Sequence, residues 1–354
     1  MLTKESNEFI KELKPKMKLK DLFENTDLKR LFHILEANQF EYESPQKKKF
    51  TKQYPDNSFI VPKLLKKARE YTRITQFQWT VKSKYRINCS LNVYGKSHNS
   101  LSTERLNLLI YALSFIMSLS DNNRTIRVHL TLLPDKKKYN PNKFTQNEIN
   151  GGYSVFNKFN KFEGDIYVWR VEECIKVLFH ECIHCLNFSR IQDSDQIIQK
   201  YNKLYNNTSE KMLVDEAYTE VWAKILNCYF VARMSAFQHE DLDSYRYFCS
   251  LLAIEREFCL LQGHKVSKDL KDNPKRDINK DTSVVSYYIV TAEIFNNLKD
   301  FLSFCFRDSK PFYLKDQRLF ISFLMTCKKV PVRKLNKKSK SYATLRMTGI
   351  ELKV

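Results

Sequence analysis

The chain has 354 residues, of which 43% are hydrophobic and which include 25 Phe and 19 Tyr. That is enough for the core of one large domain, or of one domain with extensions. Its 60 Lys and Arg against 40 Asp and Glu leave a net charge of +20, which favours anionic partners without identifying one. The longest apolar run, Leu106 to Leu119, is interrupted by Asn107 and Ser114 and is too short for a membrane span. Met1 to Lys20 lacks the apolar stretch of a secretory signal.

Residues 1–60 read as a basic N-terminal extension with one helix near 22–37 and a loop ending in Pro55 and Pro62. Apolar and polar residues then alternate through Ile74–Val81 and Tyr85–Tyr94, the pattern of a hairpin. Ser102 or Thr103 is placed to cap a helix running to about Leu119. Arg127–Leu132 reads as a further strand, stopped by Pro134 and followed by a charged loop through 135–150. Gly151–Phe156 and Ile166–Arg170 are two short strands directly before a strongly apolar helix. Beyond residue 171 the pattern is helical at 193–206, 210–233, 241–262, 285–306 and about 312–327. The stretch 263–280, with Gly263, Pro274 and many charges, reads as a loop; Gly151-Gly152 and Gly263 mark the few tight loops. Lys328, Arg333, Lys334, Lys337, Lys338 and Lys340 make 328–354 a basic C-terminal tail. The sequence thus divides into an extension (1–60), a sheet-containing part (61–190), a helical part (191–327) and a tail (328–354).

The helix after the second short strand carries His180-Glu181-Cys182-Ile183-His184, an H-E-x-x-H motif. Histidines at i and i+4 project from one face of a helix, close enough for both imidazoles to reach one Zn²⁺. Glu181 points about 100° away around the helix, where it can hold a metal-bound water. The setting is apolar, with Ile175, Leu178, Phe179, Ile183, Leu186 and Phe188 around the motif. A buried His-Glu-His needs a compensating partner, and a metal ion supplies one.

A second helical segment, Val214 to Leu226, holds Glu216 and Glu220, again at i and i+4. Glu216 lies 32 residues beyond His184, far enough for the chain to return. Two neutral His and one carboxylate leave a catalytic zinc with an open fourth position for water, whose pKa falls towards about 7.

Here the chain resembles the gluzincin metallopeptidases, in which H-E-x-x-H is followed by a helix carrying Glu-x-x-x-Asp/Glu. Asp215-Glu216-Ala217-Tyr218-Thr219-Glu220 matches that second element, with Glu at 220 where the best-known members have Asp. The resemblance implies Glu216 as third ligand and Glu220 as the carboxylate that orients a ligand histidine. The chain is also similar, in blocks over roughly 150–290, to metallopeptidase-like proteins of large DNA viruses. The blocks are Ile166–Arg170, Glu172-Glu173, Lys176–Glu181, Glu216–Ala223 and Thr282–Tyr288.

What the resemblance implies is an α+β, zincin-like fold: a small twisted mixed sheet with a backing helix and the H-E-x-x-H helix, then a mainly helical C-terminal half. The implied activity is that of a zinc metallopeptidase acting on a protein or peptide. Glu181 would take a proton from the zinc-bound water and pass it to the departing amine. An exposed strand beside the metal would hold an extended substrate by main-chain hydrogen bonds. Tyr287, Tyr288, His264 and Tyr218 are the candidates to stabilise the oxyanion.

Nine cysteines, most in apolar or helical surroundings, suit free thiols in an intracellular, reducing compartment, the host cytoplasm or a virion if the protein is viral. Cys182-x-x-Cys185 has no second C-x-x-C to complete a zinc ribbon. Two other readings compete with the peptidase: a catalytically silent, zinc-containing viral structural protein, and a basic nucleic-acid-associated protein. The first would need a fourth protein ligand, and none lies at ligand spacing. The second has only the charge, which is compatible with weak electrostatic association, and no DNA-reading motif.

Overall fold

A computed structural model describes residues 2–13, 15, 19–56, 58–141, 143–156, 160, 162–273, 277–280 and 282–354; Pro274, assigned above to a loop, lies outside them. In chain order the elements begin with α1 (Lys4–Glu12), α2 (Leu19–Phe23), α3 (Thr26–Ala37), β1 (Glu41–Tyr42), β2 (Gln46–Thr51) and α4 (Pro62–Arg69). Next come β3 (Arg73–Lys82), β4 (Arg86–Gly95), α5 (Thr103–Ser118), β5 (Arg124–Leu133), α6 (Gln146–Ile149), β6 (Gly152–Phe156) and β7 (Glu163–Arg170). Then come α7 (Cys174–Leu186), α8 (Asp195–Tyr205), α9 (Val214–Ala236), α10 (Ser244–Asp272) and a π-helical turn (Val285–Val290). The last are α11 (Thr291–Asn296), α12 (Leu298–Cys305), α13 (Gln317–Thr326) and α14 (Lys340–Ala343).

The fold is α+β, with a mixed sheet of seven strands and many helices among the described residues. It divides into two units that cut across the linear division read from the sequence. One comprises Ile34–Lys136, Asn150–Asn187 and Lys353–Val354; the other comprises Met1–His33, Lys137–Ile149 and Phe188–Leu352.

The first unit holds the whole sheet, in the order β1-β3-β4-β5-β7-β6, with β2 also paired to β3. β3 and β4 form the expected antiparallel hairpin. α5 carries the chain across so that β5 lies parallel to β4, and β7 is parallel to β5. Period-two alternation sorts the faces. Ile126, Val128 and Leu130 of β5 and Ile166 and Val168 of β7 are buried on the side of α5 and α7. There Trp79 donates to Ser114 of α5, and Phe115 of α5 meets Phe179 of α7 with ring centroids 5.9 Å apart. The opposite face is mixed. Leu64 and Ala68 of α4 pack there in a second buried cluster with Ile74, Tyr94, Leu133 and Trp169, beside Arg127, bonded through Nε and an Nη to Asp165, and His129, stacked on Tyr167. Lys47-Lys48-Lys49, part of the N-terminal extension above, lie on the fully exposed strand β2. Lysines on an exposed strand discourage pairing with other chains.

In the helical unit α9 and α10 are joined by a buried charge cluster. Lys224 of α9 lies 3.7 Å from Glu220 and 3.8 Å from Glu255, and donates to Cys259 at 3.1 Å. α10 runs straight through Gly263, where the sequence predicts a loop. A Cβ at 263 would come within 2.5 Å of the Ala292 Cβ and 2.7 Å of the Tyr288 carbonyl oxygen. Glycine marks a close helix approach here, not a chain break. The helix expected over 285–306 is divided into the π-turn, α11 and α12, with Asn297 between the last two.

The C-terminal segment is only partly a tail. Leu345, Met347, Ile350 and Leu352 are buried, and the chain around them is tied down by side chains of other elements. Gln262 donates to the Ser341 carbonyl, Lys265 to those of Tyr342 and Thr344, Tyr288 to Leu345 and Asn227 to Ile350. Glu255 accepts from Thr348 and from the Gly349 N–H. The lysines fall on the exposed preceding stretch, so composition describes 328–340 and misses the buried residues 345–352.

Candidate metal centre

α7 is apolar over most of its circumference, and every residue from Cys174 to Leu186 except His184 is buried. Its start and end turn on left-handed residues, Glu173 at φ 61° and Asn187 at φ 60°. Arg124, at the start of β5, donates to the Cys185 and Leu186 carbonyls at 2.7 and 3.1 Å. A guanidinium at that end satisfies carbonyls left over by the helix and opposes its negative pole. The motif therefore sits on a helix fixed to the sheet at its C-terminus.

On that helix the Nε2 atoms of His180 and His184 are 3.2 Å apart, with the rings close to perpendicular at 75°. Two Zn–N bonds of about 2.0–2.1 Å at a tetrahedral angle place their nitrogens about 3.3 Å apart. The pair fits one such ion. Two neutral imidazoles facing each other through their lone pairs would repel, so a shared proton or a cation suits this arrangement. Glu181 is buried beside them in sequence, with its Cγ facing β6. A Cβ added to Gly152 would meet the Val177 Cγ1 at 2.7 Å and the Glu181 Cγ at 3.2 Å. Gly152, at the start of the strand expected over Gly151–Phe156, opens β6 and lets this last strand of the sheet pass directly against Glu181.

In the helical unit Glu216 is the third residue of α9 and half-buried. A carboxylate in the first turn is stabilised by the positive end of the helix. The Tyr287 hydroxyl donates to Glu216 Oε2 at 3.2 Å. Glu220, one turn on, is fully buried and faces Lys224. Burial works to lower the Lys224 pKa, but Cys259, Glu220 and Glu255 more than offset it and hold the ammonium charged.

The other expected donors lie elsewhere. Tyr288 donates to the Leu345 carbonyl at 2.5 Å, and Tyr218, fully buried, to that of Phe312 at 3.2 Å. His264 is on α10, its pKa lowered first by burial and then by Lys268 and Arg333. Tyr287 is thus the candidate whose hydroxyl meets an expected metal-site residue. All nine cysteines are buried and free. Burial raises the Cys182 and Cys185 pKa values, so neither thiol has the depressed pKa of a nucleophile.

Two residues of structural consequence escaped the sequence reading. Arg124 meets α7 from 61 and 62 residues away, and no local pattern announces that. Asp193 precedes the helix-capping Ser194 and looks like an ordinary part of that helix start, yet its carboxylate is engaged at α9. No protein-family model matches the chain, and neither does any curated protein or solved structure. Among the described residues no helix is long and apolar enough to cross a membrane.

Proposed function

We propose that the chain is a zinc-dependent peptidase of zincin-like architecture, with the ion held by His180, His184 and Glu216. The observation that carries this reading is the convergence of two imidazole Nε2 atoms to 3.2 Å on a buried helix. The resemblance of the H-E-x-x-H and Glu216–Glu220 elements to gluzincins, and of the blocks over roughly 150–290 to viral metallopeptidase-like proteins, supports it. Zinc, when bound, would polarise the scissile carbonyl and acidify the attacking water. Glu181 takes the proton of that water and returns it to the departing amine nitrogen, the work of a base and then an acid on one carboxylate. Gly152 leaves β6 close to Glu181, and the outer edge of this strand is suited to hold an extended peptide by main-chain hydrogen bonds. Tyr287 donates its single hydroxyl proton to the Glu216 carboxylate and so orients that ligand; turned from Glu216 towards the substrate, the same O–H is the donor we assign to the developing oxyanion.

The test is Glu181→Gln. The variant should retain about one zinc per chain, as a mononuclear site requires, and lose hydrolysis of a peptide library that the wild type cleaves and a chelator protects. His180→Ala should lose the metal itself. Wild-type protein without zinc, or a Gln variant that turns over at the wild-type rate, would overturn the proposal.

A further inference from the structure

α9 begins without a cap of its own. Its N-cap position is Leu213, a residue with no side-chain acceptor, held in the left-handed region at φ 55°. Leucine rarely adopts that conformation, and the amides at the start of the helix have no partner within it. Asp193, 19 to 21 residues upstream, supplies the missing acceptors: Oδ2 takes the Met212 and Leu213 N–H groups at 2.6 and 2.8 Å, and Oδ1 takes that of Val214 at 3.1 Å. The tie is reciprocal. Asp215 of α9 accepts the Ser189 hydroxyl at 2.6 Å and the Ile191 N–H at 2.9 Å. From the π-helical turn, Ser286 donates to the Met212 and Leu213 carbonyls. The Glu216 N–H then closes onto the Leu213 carbonyl at 3.0 Å.

Resting on the proposal that Glu216 is a zinc ligand, we infer that Asp193 is a positioning residue for the metal centre. It fixes the left-handed turn at Leu213, and the turn sets where α9 begins and which way Glu216 points. Three backbone amides converging on one carboxylate determine a peptide geometry far more tightly than a one-bond side-chain cap. A neutral amide cannot replace it, because one of its two polar atoms is itself a donor and would face an N–H.

The experiment compares the zinc affinity of full-length wild type, Asp193→Asn, Asp193→Ala and Tyr201→Phe by competition with a chromophoric chelator. All are measured at a temperature where circular dichroism shows them folded. Tyr201 bonds Glu293 elsewhere in the same unit, and its variant reports what loss of a buried hydrogen bond does in general. We expect the dissociation constant to rise on the order of 10–100-fold for Asp193→Ala, to a smaller extent for Asp193→Asn, and to stay within about twofold for Tyr201→Phe. Wild type that binds zinc while both Asp193 variants bind it equally well overturns the inference and leaves the peptidase reading standing. So does an equal loss in Tyr201→Phe, which would make the effect one of general stability. Wild type that binds no zinc removes the reading beneath it, and the inference falls with it.

Discussion

Deleting residues 344–354 removes the segment that composition presents as a solvated tail. Leu345 and Ile350 are 0% exposed, Leu352 is 2% and Met347 5%. Burying such side chains contributes about 1.5–3 kcal/mol each, or roughly 6–12 kcal/mol for the four. Discounting by about a third for apolar surface already buried in the unfolded chain still leaves an amount comparable with the whole stability of a domain, about 5–15 kcal/mol. The deletion also removes the Thr348 and Gly349 donors from Glu255, one of the two carbonyls that Lys265 meets and the Ile350 carbonyl from Asn227, leaving buried polar groups less satisfied. The truncated chain should therefore be insoluble or lack a cooperative transition. The milder Leu345→Ala should cost about 2–5 kcal/mol in urea unfolding monitored by circular dichroism. Lys337→Gln and Lys338→Gln, on the exposed stretch, should stay within about 0.5 kcal/mol. A truncated protein melting cooperatively at the wild-type temperature, or a Leu345→Ala penalty no larger than those of the lysine variants, would refute the reasoning.

Glu216→Ala should weaken zinc binding severely and leave the metal-free protein nearly as stable as wild type, because Glu216 is half-exposed at a helix start. Glu220→Ala should cost about 3–5 kcal/mol of metal-free stability by leaving Lys224 less compensated in the interior, with a zinc-affinity loss of about 10–100-fold if Glu220 orients a ligand histidine. A mild Glu216→Ala beside a Glu220→Ala more damaging to zinc affinity would place the ligand one turn further along. Thiol titration of native protein should be slow, since burial pushes Cys249 up to about 11 and Cys327 up to about 12, and all nine should react after denaturation; several fast native thiols would contradict the burial. His264 is depressed below its ordinary value of about 6.5, so its contribution is present above that value and is lost as pH falls through the lower, folded-state value. His264→Gln should accordingly flatten the decline of stability between about pH 7 and 5, and an unchanged slope would show that other groups govern it.

Local pattern alone determined much of the chain. The hairpin of β3 and β4, the helix α5 with its Ser102 cap, the strand β5 and the motif helix α7 all arise from periodicity and capping chemistry read over a dozen residues. The i, i+4 spacing of His180 and His184 already dictated that the two rings share one helical face, because helical geometry fixes it without any other part of the chain. What only the tertiary structure decided depends on residues distant in sequence. Gly263 signals a chain break to any local rule, yet it lies inside a helix because another helix passes too close for a side chain. The last residues look basic and solvated, yet Leu345–Leu352 are buried because α9, α10 and the π-turn supply donors and acceptors that no tail sequence specifies. Asp193 and Arg124 each satisfy a helix end many residues away. Tyr287 and Tyr288, adjacent in sequence, bond to Glu216 and to the Leu345 carbonyl respectively. Their separation comes from their successive directions around the π-helical turn and from the different groups each direction meets.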